Sequence, residues 1–317
     1  MKNDKLIYLL MVVAAFFWAG AFIAGKYGIQ EFSPLALTFF RFLLASLIIF
    51  IIMVKYEQKD WHLKKEDWKV VLLLGTVGMM GYHILFFAAL KYTTSINASI
   101  IAATNPMITS VLAVSFAGEG LNIKRVGAIF IALIGVILTI TNWDLSFLSH
   151  FAFNKGDILM LFAVVCWASY AVVSKRVMPK YSPLILSTYS FLVCTVLLFP
   201  FVVWEQIQYS FLSSTTWLGW TSVIYMAIFP TVIGYLIQQI SFKAIGASRT
   251  NIFINLVPIF SIILATIILN EQFSGLKLVS AGIIISGVYL NSIIKENPRQ
   301  EGKVEVKAEA EKNFKLY

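Results

Sequence analysis

The chain has 317 residues, of which 59% are hydrophobic and 13% are charged. Ordinary soluble domains contain about 25% charged residues, so this composition excludes a water-soluble globule and predicts a protein whose solvent is the lipid bilayer. The net charge of +9 would indicate a nucleic-acid partner in a soluble protein. In a membrane protein it reports instead on which loops hold the positive residues, and we expect no nucleic-acid partner.

Apolar runs long enough to cross a bilayer follow one another along the chain. The first starts at Leu6 and has no clear cleavage site before Gly25, so we predict a span rather than a signal peptide. The predicted spans are residues 6–25, 33–54, 69–90, 95–117, 122–141, 157–178, 183–204, 217–240, 247–269 and 274–294. The predicted fold class is an all-α integral membrane protein with ten transmembrane helices. Residues 295–317 mix Lys and Arg with Glu, and we expect a solvated, disordered cytoplasmic tail.

The positive residues of the loops predict the orientation of the chain. If the N-terminus is cytoplasmic, 20 of the 25 Lys and Arg residues fall in cytoplasmic segments, and four fall outside, namely Lys26, Lys91, Lys155 and Lys277. The remaining one, Arg41, lies within the second span. Because cytoplasmic loops are enriched in Lys and Arg, we expect a multi-pass protein of the cell membrane with both termini in the cytoplasm.

The second half of the chain repeats the first. An offset of 149 residues relates Trp18 to Trp167, Lys26 to Lys175, and Ser33-Pro34 to Ser182-Pro183. An offset of 152 residues relates Lys91, Pro106, Glu119 and Gly135 to Lys243, Pro258, Glu271 and Gly287. Each unit holds five predicted spans, an odd number, so the second unit must enter the membrane from the opposite side. The sequence thus predicts two inverted five-helix repeats, residues 1–142 and 156–294, which is the symmetry that alternating access requires.

Two motifs of the repeat carry a family resemblance. They are the Pro-x12-Glu spacing of Pro106 to Glu119 and Pro258 to Glu271, and the opening Trp18-Ala19-Gly20 with Ser33-Pro34 and Arg41, echoed by Trp167-Ala168-Ser169 with Ser182-Pro183. In these motifs, and over about residues 6–293, the chain resembles the drug/metabolite transporter superfamily, specifically its EamA-domain branch. The resemblance implies ten helices with both termini cytoplasmic. Ser190 stands where a basic counterpart of Arg41 would fall, so a symmetric role for Arg41 is not implied.

Polar side chains inside hydrocarbon are costly and usually face the bundle interior or a wet cavity. Tyr82 and His83 stand about two-thirds of the way along the third span, with Phe86 and Phe87 one turn later. Such an aromatic face with one imidazole suits an amphipathic organic substrate. We therefore predict that Tyr82 and His83 line a substrate pathway. The alternative is a buried histidine whose ring bonds a neighbouring carbonyl. The resemblance implies a pathway, because relatives that export aromatic amino acids use aromatic and histidine residues in this region.

Two predicted spans carry an internal proline, the fourth at Pro106 and the ninth at Pro258. Each proline removes a helical hydrogen bond and crowds the carbonyl four residues earlier, which predicts kinks with a gating role. The same two spans carry four asparagines, Asn97, Asn105, Asn251 and Asn255. Their carboxamides are predicted to bind a zwitterionic substrate without bringing a charge into the membrane. The alternative is interhelical hydrogen bonds worth about 1 kcal/mol each.

Trp18 and Trp167 lie near the middle of the first and sixth spans, and Tyr170 follows Trp167 by three residues. Their equivalence in the repeat predicts paired positions at a gate or cavity, with simple packing as the alternative. Arg41 lies eight residues into the second span. We predict that it attracts a substrate carboxylate in an outer vestibule, and the alternative is a side chain that extends to the lipid headgroups.

Glu119 and Glu271 are predicted to cap helix ends, with proton coupling as the alternative. No Asp or Glu stands at mid-membrane depth in the predicted spans, so the sequence favours facilitated export over tight proton antiport. The segment from Gly20 to Lys26 matches most of a phosphate-binding loop, but Tyr27 replaces the required Ser or Thr. We predict neither an enzyme nor a metal or cofactor site.

These features together predict a secondary transporter that exports a small metabolite by alternating access, with an amino acid or a related amphipathic compound as the favoured substrate. One alternative is an importer or exchanger of another metabolite, such as a sugar phosphate or nucleotide sugar. Such substrates call for paired deep Lys or Arg, and only Arg41 is found. An alternative of another class is a non-transporting membrane component such as a lipid-flippase subunit. The expected partners are the small-molecule substrate and the lipid bilayer, and both a monomer and a homodimer fit the sequence.

Overall fold

The protein is represented by a computed structural model, which describes residues 2–57, 61–117, 123–144, 154–177, 180–245, 250 and 253–293. All regular secondary structure in these residues is helical. The α-helices are α1 (Lys2–Glu31), α2 (Pro34–Tyr56), α3 (Trp68–Leu73), α4 (Tyr82–Tyr92), α5 (Ser95–Ala102), α6 (Asn105–Ala117), α7 (Ile123–Ile140), α8 (Lys155–Val177), α9 (Pro183–Tyr209), α10 (Trp217–Met226), α11 (Gly234–Ile245), α12 (Leu256–Ile268) and α13 (Gly275–Ile293). Two π-helical segments, π1 (Leu74–Gly81) and π2 (Ala227–Ile233), join α3 to α4 and α10 to α11. The predicted tail, residues 295–317, lies outside the described residues.

Six helices of the described chain are long and apolar enough to cross a membrane. They are Lys5–Glu31, Pro34–Tyr56, Lys65–Tyr92, Lys155–Ser174, Pro183–Tyr209 and Trp217–Ser241. Shorter apolar helices cover Val126–Ile140, Leu256–Ile268 and Gly275–Asn291. Large apolar side chains such as Ile51, Val196 and Ile267 are about 70% exposed on their helices, as expected of a surface that faces lipid. The prediction of an all-helical, multi-pass membrane protein is confirmed.

The fourth predicted span, residues 95–117, is not one continuous helix. α5 ends at Ala102 and α6 begins at Asn105, so Pro106 lies in the first turn of a new helix. Pro258 likewise lies in the first turn of α12. A proline in a first turn loses no helical hydrogen bond, because the N–H groups there have no intrahelical partner. The prediction of kinks inside continuous helices is therefore wrong. The helix is interrupted before each proline, and a new helix begins there.

Two Ser-Pro pairs begin α2 and α9 and also tie these helices together. Ser33 Oγ accepts a hydrogen bond from the Ala36 N–H at 3.0 Å, which caps the helix. Its hydroxyl donates to Glu205 near the end of α9 at 2.6 Å. At the opposite end of the pair, the hydroxyl of Ser182 donates to Glu57, just after α2. Because each helix begins where the other ends, α2 and α9 are antiparallel and joined at both ends.

Carboxylates tie further helix ends in the same manner at both ends of the bundle. At one end, Glu31 accepts hydrogen bonds from the N–H of Thr216 at 2.6 Å and from its hydroxyl at 2.5 Å, just before α10. At the other end, Asp67 precedes α3 and accepts from Lys180 at 3.0 Å and from the Tyr181 hydroxyl at 2.8 Å. The hydrogen bond to Asp67 raises the pKa of the Lys180 ammonium. These contacts fix the order of the helices around the bundle.

Several helices pack against each other in pairs. α2 packs on α9, α5 on α12, and α7 on α13. α1 packs on α10, π2, α11 and α12, whereas α8 packs on π1, α4, α5 and α6. α8 begins at the end of the bundle where α1 ends, because both meet Thr93: its carbonyl accepts a hydrogen bond from Lys26 Nζ at 2.5 Å, and Gly156 lies against its backbone N–H.

The two π-helical segments were not predicted from the sequence. In a π-helix an N–H group bonds the carbonyl five residues earlier. Tyr82 N–H donates to the Val77 carbonyl in this way, and Gly234 N–H donates to the Phe229 carbonyl. The two bonds are 152 residues apart, which is the offset of the repeat. Since π-helical turns are rare and concentrate at functional sites, the two segments direct attention to the side chains around them.

Close backbone contact joins α7 to α13. A Cβ atom at Gly287 would lie 2.6 Å from the Ala132 nitrogen and 2.7 Å from the Ala128 carbonyl oxygen. In the reciprocal contact, a Cβ atom at Gly135 would lie 3.0 Å from the backbone of Ile284. Glycine therefore allows the two helices to approach more closely than any other residue would, as in other membrane helix pairs.

Candidate functional site

Aromatic side chains meet in the middle of the helix bundle. Tyr82 of α4 packs on Trp167 of α8 with ring centroids 5.0 Å apart, and Trp167 stacks on Tyr170 at 5.4 Å. Tyr235 of α11 approaches Trp167 at 6.2 Å. We define the central cluster as Phe42, Tyr82, His83, Trp167, Tyr170, Phe191 and Tyr235, which pack in one core. Because α2, α4, α8, α9 and α11 all contribute, the cluster lies inside the bundle and not on its lipid surface.

The central cluster is not completely packed. Tyr82, Trp167, Tyr170 and Tyr235 are only half-buried, although all four belong to this interior cluster. Part of the surface of each of these side chains is therefore accessible. The structure thus brings together four of the residues predicted for substrate binding, Tyr82, His83, Trp167 and Tyr170, at one place.

His83 is buried, and one of its ring nitrogens is occupied. Nδ1 lies 2.8 Å from the carbonyl oxygen of Met79, one turn earlier, so Nδ1 carries the proton of this bond. The rings of Phe42 and Tyr82 pack edge-on against the imidazole, each with a centroid distance of 4.6 Å. Nε2 has no hydrogen-bond partner among the described residues. His83 therefore makes the carbonyl contact named as the alternative reading and also places its free ring nitrogen within the central cluster.

Arg41 lies inside the bundle, so the alternative in which its side chain extends to the lipid headgroups is wrong. The residue is 5% exposed, and its Nε donates to Thr231 Oγ1 of π2 at 3.0 Å. The guanidinium carbon lies 5.6 Å from the ring centroid of Phe42. The side chain turns inward because α2 packs against π2, which places a hydroxyl acceptor within its reach.

The charge of Arg41 is not balanced by any described acidic residue. The groups that interact electrostatically with its guanidinium include Tyr82, Tyr235, Cys194 and His83, none of which is a carboxylate. No Asp or Glu of the described chain forms an ion pair with it. A buried cation is costly unless it is paired. Arg41 therefore places a positive charge, without an acidic partner among the described residues, beside the central cluster.

Trp18 belongs to the same core, but on the far side of π2. Its indole Nε1 donates to the carbonyl oxygen of Pro230 at 3.0 Å, and Gly234 lies against the indole. No ring contact joins Trp18 to Trp167 among the described residues. The two tryptophans are thus not a facing pair, because one supports π2 and the other lines the central cluster.

Asn97 lies at one end of the bundle, in the first turn of α5. Its side chain and the hydroxyl of Thr93 both bond the carboxylate of Asp157, which is 1% exposed at the start of α8. Asn97 Oδ1 is buried and has no partner in the described chain. Asn97 therefore makes an interhelical hydrogen bond. Asp157 escaped the search for mid-span acids because it lies in the first turn of its helix.

The other predicted asparagines lie at the helix breaks. Asn105 begins α6, and its Oδ1 accepts a hydrogen bond from the Thr109 hydroxyl at 3.2 Å. Asn255 precedes α12 and makes no side-chain capping bond. Asn251 lies outside the described residues. Asn105 and Asn255 are half-buried and are not members of the central cluster.

Glu271 caps a helix, as predicted. Its two carboxylate oxygens accept hydrogen bonds from the N–H groups of Ser95 at 2.8 Å and Ile96 at 3.0 Å, at the start of α5. A negative charge at this position also complements the helix dipole. Among the described residues, the Glu271 carboxylate therefore bonds the start of α5 and not the loop next to Glu271. Glu119, its counterpart in the repeat, lies outside the described residues.

A separate groove of about 290 Å³ opens between α1, α10 and α12. It is lined by residues such as Phe16, Gly20, Tyr225 and Leu264, and none of the predicted substrate-binding residues borders it. Its lining is almost entirely apolar. The groove therefore lacks the polar groups that fix a polar solute in a binding site.

Two members of the site were missed from the sequence, Tyr235 and Thr231. Tyr235 stands 152 residues after His83, the offset that relates Lys91 to Lys243. Applying the repeat to His83 would have identified it. Thr231 had no such signal, because its hydroxyl reaches Arg41 only through the π-helical course of the backbone.

The fold and the site together define a class, a multi-pass helical membrane transporter. The profile of the EamA-like transporter family matches residues 5–141 and again residues 154–293. The chain belongs to this family, which confirms the predicted resemblance. The uncharacterized transporter YyaM of Bacillus subtilis (strain 168) is 30% identical over 297 residues, which cover 94% of this chain and 97% of that protein.

Two further comparisons cover almost the whole chain. A probable amino-acid metabolite efflux pump of Salmonella typhimurium (strain LT2) is 25% identical, over 92% of this chain and 95% of the relative. A solved crystal structure with 18% identity matches 90% of this chain and 97% of its own, with a TM-score of 0.60. The latter shows the similarity of fold.

Proposed function

We propose that this chain is a secondary transporter that exports a small amphipathic metabolite, an amino acid or a related compound, by alternating access. The observation that carries the proposal is the central cluster, where half-buried aromatic rings lie beside the buried guanidinium of Arg41, which has no acidic partner among the described residues. Aromatic faces bind apolar and cationic groups, and a guanidinium binds anionic ones. The name of the Salmonella relative, an amino-acid metabolite efflux pump, agrees with this substrate class.

The pattern of helix pairs supports ten membrane-spanning helices in two inverted repeats, residues 1–142 and 156–294. The repeat relates α1 to α8, α2 to α9, and π1 to π2. Under this exchange, the packing of α1 on π2 becomes the packing of α8 on π1, and the pair of α2 and α9 maps onto itself. α1 and α8 begin at opposite ends of the bundle, as inverted units do. The helix breaks at Pro106 and Pro258 would provide gates at equivalent places.

Transport itself is tested with the purified protein in proteoliposomes. Vesicles loaded with a mixture of the twenty amino acids are expected to release at least one of them faster than protein-free vesicles, and to show counterflow of that solute. Counterflow is expected because a carrier with one alternating site exchanges solute faster than it moves empty. Export would be contradicted if no amino acid or close derivative crossed the membrane while the protein remained folded and inserted.

The membrane orientation is tested by cysteine accessibility in a variant without Cys166 and Cys194. We propose that Lys64 faces the cytoplasm and Lys91 the outside, because the loop charges favour this arrangement. In intact cells a membrane-impermeant maleimide should label Lys91→Cys and not Lys64→Cys. Labelling of the Lys64→Cys variant alone would reverse the proposed orientation.

A further inference from the structure

We propose that Arg41 is the receptor for a carboxylate on the substrate, and that binding of this carboxylate transfers the guanidinium away from Thr231 and so releases π2. The inference rests on the proposed function and specifies its substrate class, a small amphipathic carboxylate. It also assigns a conformational consequence to binding. Three features of the structure carry it.

The first feature is the unused hydrogen-bonding capacity of the guanidinium. Arg41 has five N–H donors, and its one hydrogen bond in the described chain uses Nε. The two terminal nitrogens therefore remain without a partner among the described residues. A planar pair of terminal donors matches the two oxygens of a carboxylate and binds them side by side. Arg41 is thus an interior cation whose terminal N–H groups would donate hydrogen bonds to a bound carboxylate.

The second feature is the position of this cation relative to the aromatic rings. Phe42 lies between Arg41 and His83, with its ring 5.6 Å from the guanidinium carbon and 4.6 Å from the imidazole. Tyr82 and Tyr235 lie within the electrostatic range of the charge. A substrate whose carboxylate met Arg41 would thus place its apolar part against the central cluster. An α-amino acid with an apolar or aromatic side chain has this shape.

The third feature is the role of Thr231 in π2. Its hydroxyl donates to the Met226 carbonyl, five residues earlier, at 2.7 Å, and accepts the Arg41 bond at 3.0 Å. Pro230 has no N–H group to stabilise the segment. π-Helical turns are rare in proteins, so we infer that the surroundings of π2 favour it over the α-helical course. Arg41 is such a support. A carboxylate held by the two terminal nitrogens would draw the guanidinium toward itself, lengthen the bond from Nε to Thr231 and so remove the support.

The equivalent place in the other half has no such contact. Ser190 occupies the position of Arg41, and its hydroxyl bonds the Leu186 carbonyl of its own helix. A Cβ at Gly75 of π1 would lie 3.1 Å from the Ser190 carbonyl oxygen, so the backbones meet directly. Among the described residues, π2 is thus held by the side chain of Arg41, whereas the corresponding position of the other half makes no such contact with π1. The proposed carboxylate receptor is therefore a single site in the chain.

The substrate class is tested with two probes that differ only in the carboxylate, L-phenylalanine and phenethylamine. Thermal shift and counterflow are measured for the wild type, Arg41→Gln, Arg41→Lys and the exposed control Lys91→Gln. For the wild type and the control we expect at least tenfold tighter binding of the acid. Arg41→Gln should lose this preference while its affinity for the amine changes less than twofold, and Arg41→Lys should keep part of it.

The outcomes separate this inference from the proposed function. If the wild type binds and moves neither probe nor any other amino acid, the proposed function fails. If it moves the acid and a folded Arg41→Gln variant keeps the full preference for it, the carboxylate receptor is refuted. Equal affinity of the wild type for acid and amine would refute it as well.

The release of π2 has its own readout, amide hydrogen exchange of residues 227–233 in the full-length protein. Saturating L-phenylalanine is expected to speed exchange there at least threefold in the wild type. Thr231→Val removes the acceptor of the Arg41 bond, so exchange should be fast without ligand and change little when it is added. Slower exchange of π2 on binding in the wild type would overturn the proposed release.

Discussion

Trp167→Ala is expected to reduce substrate transport at least tenfold while the helical fold is retained. Trp167 is the ring that joins the members of the central cluster, with Tyr82 at 5.0 Å, Tyr170 at 5.4 Å and Tyr235 at 6.2 Å. Aromatic contacts contribute about 0.5–1.5 kcal/mol each beyond the burial of area. A ligand that stacks on Trp167 would lose a contact of this size together with the buried area of the indole, and about 1.4 kcal/mol of lost binding corresponds to a factor of ten. Counterflow in proteoliposomes measures the effect.

A matched control uses a tryptophan on the surface of the bundle. Trp204 in α9 is 56% exposed, and its only described ring contact is with Tyr209. Trp204→Ala removes the same side chain without touching the central cluster, and transport should stay within about twofold of the wild type. Trp167→Phe keeps an aromatic face and should fall between the two. Equal loss in the Trp204 and Trp167 variants would show that tryptophan content and not the cluster matters.

Gly287→Ala is expected to lower the free energy of unfolding by about 1–3 kcal/mol, the usual cost of overpacking. The added Cβ would meet the Ala132 nitrogen at 2.6 Å and the Ala128 carbonyl oxygen at 2.7 Å. Both are backbone atoms of α7 and cannot turn aside as a side chain would. α13 must therefore move away from α7, and its packing is lost. Thermal unfolding in detergent gives the measurement.

The same helix offers a control of opposite sign. A Cβ at Gly282 would have nothing within 4 Å. Alanine is a better helix former than glycine by about 1 kcal/mol, so Gly282→Ala should leave stability unchanged or raise it. An opposite shift of the two melting temperatures would support the close contact of α7 and α13. Equal shifts would mean that helix propensity, and not this contact, decides the result.

The presence of most helices, and some of their starts, could be predicted because the signals are local. Apolar runs bounded by polar residues predicted the spans, and the Ser-Pro pairs at Ser33 and Ser182 marked two helix starts that the structure contains. The cap formed by Glu271 was also predicted, since a carboxylate at a helix end has few other roles. The grouping of Tyr82 and His83 with Trp167 followed from rules about polar groups in lipid and from the repeat.

The remaining features depend on contacts between distant segments. The inward turn of Arg41 required Thr231, which lies 190 residues away and has its position only through π2. The breaks before Pro106 and Pro258 could not be distinguished from kinks, because a proline permits either and packing decides. The π-helical segments left no periodic signal in a sequence that is apolar on every side. Local patterns in one sequence do not show which distant segments pack against each other.

The two π-helical segments also change the phase of their helices. A π-helical turn contains roughly one residue more than an α-helical turn, and each residue of an α-helix accounts for about 100° of rotation. The part of a span that follows the segment is thus rotated relative to the part that precedes it. A helical wheel drawn through residues 68–92 would therefore assign Tyr82 and His83 to the wrong side. Because π1 and π2 occupy equivalent places, each half of the protein places a cluster residue just after such a phase shift, His83 in one half and Tyr235 in the other.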